Sequence, residues 1–125
     1  MAKDPVKRKS FVSSSVKFIL EHNFDGLDLD WEYPGKRGGA PEDKDNFISL
    51  IQDLHSVYSK HKLLLTAAIG AAIDTIDAAY DVEKMYKYLV RSKQSVIRVL
   101  KTSLSGFCAR DVLRLPWQMG QEDRT

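Results

Sequence analysis

The sequence predicts an α/β chain built on a parallel sheet or barrel. Apolar residues recur at helical spacing in three stretches, two short runs between them read as strands, and the two kinds alternate as helix, strand, helix, strand, helix. Such alternation is what parallel strands joined by helical crossovers produce.

Between Pro5 and His22 the residues Val12, Val16, Ile19 and Leu20 return every three or four positions, and Phe11 and Phe18 widen the stripe. An amphipathic helix is expected there, with Asn23 as its stop. Phe24 to Trp31 alternates Leu27, Leu29 and Trp31 against Asp28, Asp30 and Glu32, a period of two that predicts a strand. Residues 34 to 44, PGKRGGAPEDK, form a loop by their glycine and proline content. Helical spacing resumes with Phe47, Leu50, Ile51, Leu54, Val57 and Tyr58, up to about Ser59. Leu63 to Ile69 is a short apolar run, expected as a strand buried on both faces. Val82 to Val90 suggests another helix, with Asp81 placed to cap it. Beyond Val90 the apolar residues Val96, Ile97, Val99, Leu100 and Leu104 show no continuation of the α/β rhythm.

A chain of 125 residues suits one domain, and its 43% hydrophobic and 29% charged composition is that of a globular protein. A net charge of +2 is too small to argue for nucleic acid or an anionic membrane as partner. The total hides an asymmetry: residues 1–90 carry 12 Lys and Arg against 14 Asp and Glu, and residues 91–125 carry 7 against 3. Cys108 is the single cysteine, so no internal disulfide is available. No apolar run approaches the roughly 20 residues that cross a bilayer. The opening MAKDPVKRKS has no apolar stretch behind its basic residues, and a chain without a secretory signal is expected to stay where it is made.

Chemistry is concentrated on the first strand. Asp28, Asp30 and Glu32 stand at i, i+2 and i+4 and so share one face, with neighbours about 6.6 Å apart along the backbone. Leu27, Leu29 and Trp31 cover the other face, and Trp31 is read as packing toward a helix layer. In a barrel the acids would lie inside, with Glu32 nearest the C-terminal end where such folds place their sites. Enclosed at an effective dielectric near 20, two carboxylates at that spacing repel by about 2.5 kcal/mol. One acid must then keep a proton, as a general acid does, or a cation must neutralise the group. Solvated acids on an exposed strand are the plainer alternative, although the intervening Leu, Leu and Trp argue for burial. A metal ion is the other, but only His22 stands near and the spacing is not that of a calcium loop, so no metal is expected.

These residues carry a resemblance. Asp25, Gly26, Asp28, Asp30, Trp31 and Glu32 fit the pattern D-G-x-D-x-D-W-E of family 18 glycoside hydrolases, and Tyr33, Pro34 and Gly35 continue as chitinases do. Similarity extends through RKSFVSSSVKFILEHN, GKRGGAPEDKDNFISLIQDL, LLLTAAIG and YDVEKMYKYL, roughly residues 3 to 89. The resemblance implies part of a (β/α)8 TIM barrel acting on chitin or chito-oligosaccharide, without a cofactor. It implies a retaining mechanism assisted by the substrate's own acetamido group. Glu32 would be acid and base, Asp30 would orient the acetamido group, and Asp28 would stand behind it and share a proton. Tyr33 is a candidate substrate contact, whereas Asp25, Gly26 and Trp31 are expected to be structural. Full-length members of the family are mostly secreted.

The chain also departs from the pattern. A (β/α)8 barrel takes about 250 residues. The family's sixth strand carries a Met-x-Tyr-Asp element, and RSKQSVIRVLKTSLSGFCARDVLRLPWQMGQEDRT has none. Residues 3–90 are therefore expected as a partial catalytic domain and residues 91–125 as a divergent tail, the product of a partial or alternatively read gene. Unpaired strand edges would favour self-association and leave the isolated chain at most weakly active. Two other readings stand beside this one: a glycan-binding chitinase-like protein without catalysis, and an inactive truncated product. Retention of Glu32 favours the enzyme family.

Overall fold

The computed structural model describes residues 1–89 in full and residues 95–100 as backbone. Helix α1 (Pro5–Glu21) opens on Asp4, whose carboxylate accepts from the N–H groups of Val6 and Lys7. Pro5 sits in the first turn, where a missing N–H costs nothing. Strand β1 (Gly26–Asp30) follows, then α2 (Asp43–His61), β2 (Leu64–Gly70), α3 (Ile73–Ala79), α4 (Val82–Leu89) and β3 (Ser95–Leu100). Lys62 ends α2 in the left-handed region at φ 56°, returning its N–H to the last turn. Asp81 caps α4 as expected, accepting from the Lys84 N–H at 3.0 Å.

The three strands form one parallel sheet in the order β1-β2-β3. Gly26 pairs with Leu64 and Asp30 with Ala68, so Leu27 and Leu29 share a face with Leu65, Ala67 and Ile69. That face meets the helices. Val12, Val16 and Ile19 of α1, Phe47, Ile51 and Leu54 of α2, and Met85 and Leu89 of α4 close one core over it. Two polar links tie α1 to α2: Tyr58 donates to the Ser15 hydroxyl at 2.8 Å, and Arg8 pairs with Asp53 at 2.7 Å. Gly26 is required by close approach, since a Cβ there would lie 2.0 Å from the Leu64 carbonyl oxygen.

This is the partial α/β barrel plan that the alternation of elements predicts, with two additions. Helix α3 carries a single buried residue, Ala79, and at seven residues is too short to display a repeating stripe. The expectation that the α/β order stops at Val90 is corrected, because β3 lies parallel to β2 with Leu65 opposite Ser95 and Gly70 opposite Leu100. Its sequence, SVIRVL, has strand composition, but RSKQ before it holds no glycine or proline to mark a boundary. Residues 90–94 and 101–125, with Leu104, Cys108 and most of the expected tail, lie outside the described residues. No helix among the described residues is long and apolar enough to cross a membrane.

Candidate active site

Period-two alternation on β1 and the register with β2 together build the acid face. Asp28 lies opposite Thr66 and Asp30 opposite Ala68. The Thr66 hydroxyl donates to Asp28 Oδ1. Ala68 is buried and small, which keeps the sheet clear beside Asp30. The strand ends at Asp30, so Trp31 and Glu32 stand just past its C-terminal end. Asp25 immediately precedes the strand, and its carbonyl accepts from the Leu64 N–H at 2.8 Å.

Trp31 turns away from the acids and packs edge-on against Phe47, with ring centres 5.7 Å apart. Its carbonyl accepts a hydrogen bond from the Tyr80 hydroxyl at 2.8 Å. Tyr80 is buried at the root of the site, edge-on to both Phe47 and Tyr33. Burial, and then the nearby Tyr33, push the Tyr80 hydroxyl far above the ordinary tyrosine value, a hydrogen bond from the Gly70 backbone works against this, and Asp30 and Glu32 add to the rise. The peptide bond between Glu32 and Tyr33 is cis. Gly70 leaves room for the Tyr33 ring, whose Cε1 would be 3.2 Å from a Cβ placed there.

The loop after the strand supplies a cation. Arg37 Nη1 donates to Glu32 Oε2 at 3.1 Å, and its guanidinium carbon lies 5.0 Å from the Tyr33 ring centre. Two consecutive turns place it there, with Lys36 N–H on the Tyr33 carbonyl and Gly39 N–H on the Lys36 carbonyl.

Asp28 and Asp30 share one side of the sheet and Glu32 follows just past the strand end, but the described residues do not enclose them: Asp28 and Asp30 are exposed and the Glu32 side chain is 35% exposed. The crowding expected from an enclosed interior is therefore relieved. In water the same spacing gives a repulsion of about 0.6 kcal/mol, and Thr66 and Arg37 place donors on two of the three carboxylates. Among the described residues no three His, Cys, Asp or Glu side chains are grouped to hold a metal ion.

Sequence reasoning missed three residues here. Thr66 had a signal, being the only polar side chain in LLLTAAIG. Tyr80 had none, because it lies between two helices and reaches the site only through tertiary packing. Arg37 falls in the stretch read as a loop, and its pairing with Glu32 depends on turns that composition alone does not specify.

The profile of glycosyl hydrolases family 18 matches residues 1–110. The chain belongs to this family. Among family 18 relatives, "Probable chitinase 2" of Drosophila melanogaster is 51% identical over 82 residues, covering 66% of this chain and 17% of the relative. The solved Group IV chitinase of Ostrinia furnacalis in complex with allosamidin superposes with a TM-score of 0.74 at 37% identity, covering 80% of this chain and 26% of that one. Human YKL-39, described as a pseudo-chitinase with retained chitooligosaccharide binding properties, superposes with a TM-score of 0.64 at 35% identity over 72% of this chain and 25% of its own. The chain thus spans about a quarter of the length of the solved family 18 proteins it matches.

Proposed function

We propose that this chain carries the catalytic strand of a chitinase, cleaving β-1,4 bonds between N-acetylglucosamine units. One observation carries the reading: Asp28 and Asp30 share a face of β1, and Glu32 stands exposed just past the strand's C-terminal end. Barrel enzymes assemble their chemistry at that end. Glu32 would protonate the glycosidic oxygen while the substrate's acetamido oxygen attacks the anomeric carbon, breaking the bond to the leaving sugar and forming an oxazolinium ion. Glu32, now a carboxylate, would take a proton from the water that opens the ring, so configuration is retained. Asp30 would orient the acetamido group, and Asp28, held by Thr66, would support Asp30 from behind. Tyr33 would offer its ring to the sugar. No cofactor takes part. An extracellular place of work for full-length members belongs to the same proposal.

A second reading is favoured by the likeness to YKL-39: glycan binding without hydrolysis. Glu32 separates the two. In the first, E32Q should lower chito-oligosaccharide hydrolysis by about 10²- to 10⁴-fold while leaving binding in place. Hydrolysis unchanged in E32Q would sink the mechanism, and binding by a wild-type chain that never hydrolyses would establish the second reading.

A further inference from the structure

One side chain contacts both Glu32 and Tyr33. The Arg37 guanidinium donates to Glu32 Oε2 at 3.1 Å and lies over the Tyr33 ring at 5.0 Å. Its backbone is in the left-handed region at φ 51°, between Gly35 at 77° and Gly38 at 84°, so a tight turn delivers the side chain back onto the strand end. Any ligand oxygen that engages this carboxylate oxygen, or any sugar ring laid on this face of Tyr33, must first displace the guanidinium.

We propose that Arg37 is a gate on the glycan site, closed in the free chain and opened by the ligand. The inference rests on the reading that Glu32 and Tyr33 meet the sugar. Energetics favour a gate over a lock. The Arg37 side chain is 64% exposed and that of Glu32 35%, so their ion pair is of the screened surface kind. An exposed pair of this sort holds a closed state by a factor of about two to five, small enough for a sugar to overcome. Arginine suits the task because its planar fork can donate to a carboxylate and lie on a ring together, which the lysine ammonium does less well.

The test is binding of tri-N-acetylchitotriose to the full chain and to R37N and R37K, by calorimetry at low and high salt. Asparagine tolerates the left-handed backbone, so R37N removes the cation without straining the turn. R37N is expected to bind the trisaccharide about two- to fivefold more tightly than wild type at low salt, with R37K between them. Salt should bring wild type toward R37N and leave R37N unchanged. Equal or weaker binding by R37N, with the trisaccharide still bound by wild type, overturns the gate and leaves the glycan site standing. Failure of all three chains to bind overturns both.

Discussion

Removing the Tyr80 hydroxyl tests whether the strand end that presents Glu32 is held by its underlying core. The hydroxyl donates to the Trp31 carbonyl at 2.8 Å from a residue that is 3% exposed. Y80F keeps the ring and its edge contacts with Phe47 and Tyr33 and deletes the donor alone. A hydrogen bond of this kind contributes about 1 kcal/mol net, and a carbonyl left without a donor raises the loss to about 2 kcal/mol. With a urea slope of about 1.5 kcal/mol/M for a chain this size, the unfolding midpoint of Y80F should fall by roughly 1 M. The wild-type curve itself should be a single cooperative step, because the core over the sheet is continuous.

An alkaline series adds a second, independent reading. Burial holds the Tyr80 proton in the folded chain at pH values where an unfolded tyrosine has released it. The folded chain then binds more protons than the unfolded one, so stability falls as pH rises. That contribution is present in full below about pH 10 and falls progressively as pH rises from there toward the higher value of the folded chain. Tyr58, also pushed up by burial, behaves the same way in both proteins. The advantage of wild type over Y80F should therefore shrink above about pH 10. An unchanged midpoint in Y80F, or parallel pH profiles, would refute the account of Tyr80 as the brace of the site.

Other expectations follow from the sheet. G26A should cost about 3 kcal/mol or more in urea unfolding, since the new Cβ would sit 2.0 Å from a backbone oxygen that the strand pairing fixes in place; a near-neutral G26A would mean that β1 and β2 do not approach as described. Self-association through strand edges is proposed for the isolated chain, because β1 pairs with β2 alone among the described residues and Phe18, Leu20 and Phe24 are exposed near its start. Sedimentation should show apparent mass rising with protein concentration, more so in high salt, which screens Asp28 and Asp30 along that edge. A monomer at every concentration and salt would remove the proposal.

How much of this was legible in the sequence depends on where each residue's information lies. Strand β1 and helices α1, α2 and α4 announce themselves through periodicity, because each buries one face against the same core and must repeat accordingly. Strand β2 was legible as a short apolar run, although it is not buried on both faces throughout: Leu65, Ala67, Ala68 and Ile69 are buried, whereas Leu64 is exposed and Thr66 half-buried. Helix α3 was not, since one buried residue in seven leaves nothing to count. Strand β3 was obscured by an unmarked start, although Val96, Ile97, Val99 and Leu100 have the composition of a strand.

The acids were readable in the sequence because a strand turns residues i and i+2 to one side without help from the rest of the chain. Their surroundings were not, because they are set by contacts between elements. Thr66 meets Asp28 through strand register, Tyr80 meets Trp31 across 49 residues of chain, and Arg37 reaches Glu32 through a turn only five residues long. The repulsion among the acids turns on the same distinction. Spacing along a strand is local, but the dielectric around the acids depends on what stands over the sheet. Changing that surrounding from an enclosed interior to water takes the pairwise term from about 2.5 to about 0.6 kcal/mol with no change in the strand. The local sequence thus specifies which carboxylates act together, and the covering of the site governs how strongly they act on one another. Arg37, which already donates to Glu32, belongs to that covering.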